Sequence, residues 1–228
     1  MKKALALTTI GSVALVSGMT AFAAFSGQPH DKAASRDISA MMSKMEELGK
    51  VGPKHAILNQ FVGSWECQTR IWCPLQSEPI ETRGTMNVRK LGDGRFVQAD
   101  YSGNVPVPGP DGKPKDTPYK GTMLWGYSNA ENEYQCVWAD SMNTSMTWMT
   151  GTSENESSNA NPSSVMLKGE CKGPDESGKL VKQTTWQKIT MESGDKFRSE
   201  LWSEEPGTPK HKVMDITYTR LNRGTDVP

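Results

Sequence analysis

The chain has 228 residues, 26 Lys+Arg against 26 Asp+Glu, 35% hydrophobic residues, four Cys, seven Trp and three His, enough for one full core or two small ones. Zero formal net charge excludes nucleic acid as the main partner, because phosphate binding needs a basic surplus to displace counterions. Charged residues at 23% without net excess, and tryptophans spread along the chain, exclude a disordered protein.

Residues 1–23 read as a secretory signal peptide. Lys2 and Lys3 form a basic start, Ala4 to about Ser17 an apolar run, and Ala21-Phe22-Ala23 a small-x-small cleavage pattern. Thr8, Thr9, Ser12 and Ser17 interrupt a segment already short of the ~20 apolar residues a span requires, so no membrane span is expected in the mature chain. No cysteine lies near the cleavage point to carry a lipid, and the short apolar run suits a bacterium. The expected location is the periplasm or the cell exterior. Four cysteines would there meet an oxidising compartment and allow three pairings.

Residues 24–36 are predicted to be a flexible leader and 37–62 a helical segment. Ile38, Met41, Met42, Met45 and Leu48 recur at helical spacing behind Asp37, a suitable N-cap, and Gly49 stops the run. The methionine stripe is read as the apolar face of a helix packed on a core rather than a metal site. Pro53 opens a second short helix carrying Ile57, Leu58, Phe61 and Val62.

After Gly63 the periodicity changes to two. Trp65, Cys67, Thr69, Ile71 and Cys73 alternate with Glu66, Gln68 and Arg70, and nine further strands follow near 79–90, 94–103, 119–127, 133–140, 145–151, 164–171, 180–191, 195–203 and 212–220. Separators such as Gly92-Asp93-Gly94 and Ser193-Gly194 are turn chemistry. The expected fold is all-β: an antiparallel up-and-down β-barrel of about ten strands over 63–222, closing so that no edge remains open. Five prolines between Asn104 and Pro118 predict a loop there, either a lid or a disordered insert. Ser153 to Ser164 is read as a solvated loop.

In such a meander the last strand returns beside the first, which brings Arg220 to Trp65, where a guanidinium over an indole contributes ~0.5–2 kcal/mol. This pairing resembles the Gly-x-Trp and terminal-arginine signature of the lipocalin and calycin barrels. A closer resemblance runs from about His55 to Arg220 through Gly63-Ser64-Trp65, Leu91-Gly92-Asp93-Gly94-Arg95-Phe96, Tyr101-Ser102-Gly103, Gly126-Tyr127, Trp138-Ala139-Asp140-Ser141 and Met214-Asp215-Ile216-Thr217-Tyr218-Thr219-Arg220. These segments resemble the bacterial family catalogued as domain of unknown function 1579, which implies a secreted or cytosolic lipocalin-like barrel without an assigned activity.

With Trp65 inward, alternation places Met86, Val88, Met123, Trp125, Trp138, Met146, Trp148, Trp186, Met214, Ile216 and Tyr218 on the inner face. Such a set either fills a core or lines a pocket of ~300–1,000 Å³. Met123, Trp125, Trp138, Met146, Trp148 and Trp186 are the candidate ligand-binding residues, for a small hydrophobic ligand. The alternative is a filled barrel that acts as an envelope interaction or stress protein through its surface.

Asp140 is the one residue that invites a catalytic reading, but nothing completes a triad. There is no Gly-x-Ser-x-Gly, and His30, His55 and His211 are scattered, which also argues against zinc. His55 is expected to pack or cap a helix. Haem is kept as a lesser candidate cofactor because some lipocalin-like barrels carry it. Cys67 and Cys73 lie on one strand about 20 Å apart when extended, too far to bridge. Cys73 and Cys171, at the exits of two odd-numbered strands, are the expected disulfide.

Overall fold

A computed structural model describes residues 32–73, 78–108, 114–154, 164–175 and 177–222. The expected signal peptide, most of the expected leader and most of the Ser/Asn-rich stretch lie outside them. The chain divides into two units, Met1–Glu47 and Leu48–Pro228. Helix α1 (Lys32–Leu48) accounts for the described part of the first unit and begins earlier than Asp37. Lys32, Ala33, Ala34 and Arg36 are strong helix formers, so the helix extends back through them. Met41, Met42 and Met45 are exposed on this helix. No described helix is long and apolar enough to cross a membrane.

The second unit opens with α2 (Pro53–Asn59). Pro53 has no N–H to leave unsatisfied, and the cap is reciprocal: the His55 N–H donates to the Gly52 carbonyl at 3.0 Å and the Gly52 N–H to His55 Nδ1 at 3.1 Å. Ten strands follow: β1 (Gly63–Ile71), β2 (Ile80–Leu91), β3 (Phe96–Pro108), β4 (Pro114–Ser128), β5 (Glu133–Asp140), β6 (Thr147–Glu154), β7 (Ser164–Pro174), β8 (Leu180–Ser193), β9 (Lys196–Glu204) and β10 (His211–Asn222). Each pairs antiparallel with the next, and β1 pairs with β10, so the sheet is a closed up-and-down barrel. Between β2 and β3, Gly92, Asp93 and Gly94 all have positive φ, a conformation that glycine adopts without steric penalty.

Trp65 stands opposite Arg220 in the β1–β10 register. The guanidinium carbon lies 3.9 Å from the indole centroid. Its Nη1 donates to the Val62 carbonyl at 2.6 Å, Nη2 to Gln60 at 2.7 Å and Nε to Gly194 at 2.9 Å. One side chain therefore ties the segment after α2 to the β8–β9 turn. Trp65 Nε1 donates to the Phe61 carbonyl at 2.8 Å. Phe61 packs 4.9 Å from both Trp125 and Phe197, and Phe197 stacks on Tyr218 at 3.9 Å. This aromatic cluster plugs the end of the barrel where β1 begins, under α2, whose Lys54 carbonyl accepts from the Tyr134 hydroxyl at 3.0 Å.

The proline-rich stretch is a correction. Apart from residues 109–113, which lie outside those described, it is strand: Asn104 pairs with Pro118, Pro106 with Asp116 and Pro108 with Pro114. β2 pairs with β3 only as far as Gly103, and β5 with β4 only from Gly121, so this hairpin rises beyond its neighbours. These prolines all occupy pairs of one parity. The alternating residues Val105, Val107, Lys115 and Thr117 can carry the ladder, while each missing N–H faces outward, where no third strand stands among the described residues.

On the outer wall, the Asp215 side chain is only 3% exposed and lies among cations. Arg198 Nε donates to Oδ1 at 2.8 Å and Arg198 Nη2 bonds Oδ2; Arg70 approaches to 3.3 Å and Lys212 to 3.8 Å. The Arg198 bond, working against burial, holds the carboxyl below its ordinary value of 3.8. A depressed folded-state pKa stabilises fully above the unfolded value and is lost as pH falls through the folded one. Asp215→Asn should therefore lower the urea midpoint at pH 7, and the gap to wild type should narrow as pH drops from 7 toward about 3. A gap that stayed constant would reject the ion-pair account.

Candidate functional site: the barrel cavity

The interior is hollow above the aromatic plug. A cavity of about 800 Å³ runs from Phe61, Trp125 and Phe197 to the end of the barrel where β1 leaves and the β3–β4 hairpin rises. Its depth is lined by Met86, Val88, Val97, Met123, Met149 and Ile189, and its mouth includes Ile71, Ile80, Val105, Val107, Met142 and Leu201. Strand alternation delivers these side chains inward.

Glycines in the wall keep the lumen open. A Cβ on Gly84 would stand 2.4 Å from the Tyr101 hydroxyl and one on Gly103 2.6 Å from it, so the phenol lies flat over this facing pair. At Gly121 a Cβ would meet Trp138 Cζ2 at 2.1 Å, so the indole lies over that glycine. Side chains at these three positions would push both rings toward the axis.

The polar groups are few and ordered. The Tyr101 hydroxyl bonds Thr69 and Thr82, and burial pushes its pKa up. Deeper, Gln187 Nε2 donates to Ser199 Oγ at 2.8 Å. Tyr218 is driven well above the phenol range by burial first and then by Cys67. At the mouth, Asp140 Oδ2 accepts from Trp138 Nε1 at 2.9 Å and Oδ1 from the Met142 N–H at 2.8 Å. The Tyr119 hydroxyl bonds the same carboxylate; burial and then the Asp140 charge raise its pKa far above its ordinary value. Asp140 thus serves as the fixed acceptor of a mouth cluster.

Of the six candidate ligand-binding residues, Met123, Trp125 and Trp138 line the cavity. Met146, Trp148 and Trp186 do not, and each is a correction. Met146 precedes β6 and is 71% exposed. β6 turns Thr147 and Met149 inward, which leaves Trp148 outside, 54% exposed, near Phe96 and Leu124. β8 turns Thr185, Gln187 and Ile189 inward; Trp186 lies outside beneath Lys210 at 4.4 Å and Lys168 at 5.6 Å. A one-residue difference in parity moves a side chain through the wall. Sequence reading missed Tyr101, Tyr119 and the three glycines. The usable signal was Gly84 opposite Gly103 on adjacent predicted strands, with a tyrosine two residues away.

The expected Cys73–Cys171 disulfide is also a correction: both are free, as are Cys67 and Cys136. β1 and β7 stand four neighbours apart in the ring, roughly 19 Å round the sheet, so their exits lie across the mouth from each other. Cys73 lines that mouth, while Cys171 Sγ lies 4.0 Å from Gln183 Oε1. Burial pushes the Cys67 and Cys136 thiols up to about 12, so both are protonated and unreactive.

Among the described lining residues of the cavity there is no His, Lys or Arg to supply an imidazole or pair a haem propionate, while Cys73, Tyr101, Tyr119 and several Met are present. His55 is buried and committed: Nδ1 accepts from Gly52 while the ring bonds the Tyr127 carbonyl. Burial lowers its pKa, and the Tyr127 bond only partly offsets this.

A crystal structure of Rv2717c from M. tuberculosis shares the fold with TM-score 0.50 and 17% identity, covering 76% of this chain and 100% of that one. An S-type phycobiliprotein lyase, CPES, from Guillardia theta matches with TM-score 0.45 and 9% identity over 78% of this chain and 97% of its own. No curated protein matches the sequence. The family model described as Protein of unknown function (DUF1579) matches residues 50–220, most of the barrel unit from α2 to Arg220, and the chain belongs to that family.

Proposed function

We propose that the protein is a non-enzymatic binder of a small apolar or aromatic molecule, held inside the barrel and carried in the bacterial periplasm or outside the cell after removal of residues 1–23. The observation that carries this reading is the cavity of about 800 Å³, within the size range of small-molecule sites, together with the glycines that let Tyr101 and Trp138 lie against its wall. A barrel acting only through its surface has no use for that space. Trp125 and Trp138 give the interior an optical reporter, with Met123, Met86 and Met149 as adaptable surface around a ligand.

Native mass spectrometry of the full chain recovered from the periplasm should show a protein starting at Ala24, with a bound small mass or saturable uptake of one added N-phenyl-1-naphthylamine. Titration with that neutral probe should change tryptophan fluorescence to a 1:1 end point. A spectrum without bound mass and a titration without saturation would together overturn the proposal.

A further inference from the structure

Charge is distributed one-sidedly within the cavity. Thirty described residues line it; among them Asp140 is the only carboxylate, and none is Lys, Arg or His. Its carboxylate is at the mouth, held on both oxygens by Trp138 Nε1 and the Met142 N–H, so it cannot swing away from an entering molecule. The remaining polar groups are hydroxyls of Thr, Ser and Tyr, one Gln amide, the Cys73 thiol and two indole N–H groups, of which that of Trp138 is held by Asp140 and that of Trp125 is buried without a partner among the described residues. Such groups can satisfy an alcohol, ether or carbonyl. None can neutralise an anion.

We infer that this cavity selects uncharged apolar molecules, such as long-chain alcohols or ketones, and rejects the corresponding carboxylates, with Asp140 setting the preference. The inference rests on the binding role proposed above and narrows its ligand class. An ionised headgroup at the mouth would meet a fixed like charge, and one carried deeper would be desolvated with only neutral donors and no cation among the described lining residues to offset its charge. A neutral headgroup meets neither penalty, while the methylene chain gains the same burial in both cases.

The test displaces N-phenyl-1-naphthylamine from the full-length mature protein with dodecanol and with dodecanoate, at pH 8 and below their aggregation limits. Dodecanol should displace the probe at a concentration at least about tenfold lower than dodecanoate. Asp140→Asn removes the charge and keeps an acceptor, and should narrow that ratio. Should this variant fail to fold, Thr147→Lys places a cation at the mouth and should bring dodecanoate to parity or better. Equal or tighter binding of dodecanoate by the wild type would overturn the inference while leaving the binding role intact. If the probe itself failed to bind, the binding role would fall first, and the inference with it.

Discussion

Arg220→Ala should destabilise the barrel by about 3–5 kcal/mol, the largest effect expected of any substitution distant from the cavity. Its side chain is only 9% exposed and bonds three carbonyls in addition to covering Trp65. Truncation leaves the Gln60 and Val62 carbonyls without these donors and removes the cation from the indole. Arg220→Lys should recover part of the loss, because an ammonium can reach one carbonyl but cannot form the fork. Urea unfolding followed by far-UV circular dichroism would read the change as a lower midpoint at constant slope. A loss below about 1 kcal/mol would show that ring closure does not depend on this side chain.

Gly121→Val should reduce binding of the neutral probe at least about tenfold, at a stability cost of about 1–3 kcal/mol. The new Cβ would overlap Trp138, whose indole is moored to Asp140 and backed by the wall, so the ring can move only into the lumen. The double variant Gly121→Val/Trp138→Ala should restore binding, because it removes the displaced ring. Two losses that simply added would show that the glycine serves packing rather than the space. Titration of both variants beside wild type, with unfolding curves for each, separates occupancy from stability.

Strand number, order and closure were legible because they depend on a periodic signal repeated ten times. The Trp65–Arg220 contact was legible because antiparallel counting fixes which strand ends meet. Details governed by a single residue's parity were not. Trp148 and Trp186 are tryptophans in alternating segments, but their facing depends on where the ladder begins. A tryptophan outside a sheet is tolerated when a cation sits over its face, as the Lys210 ammonium does over Trp186. The proline hairpin was misread because proline was weighed against a central strand, whereas this stretch has a free outer edge along which prolines of one parity fit. The disulfide failed for a geometric reason: sharing a rim does not make two strands neighbours in a ring of ten.

The pairing of β1 with β10 also sets the timing of assembly. Residues near 65 wait for partners near 220, so the chain has nothing with which to finish its circle until the segment through about residue 220 is present. A transcript interrupted before His211 would yield an open, curved sheet with two unprotected margins rather than a smaller working version. Such a product is bound for aggregation or proteolysis. Shortened forms of this protein should therefore behave as all-or-nothing losses, whichever strand the lesion removes.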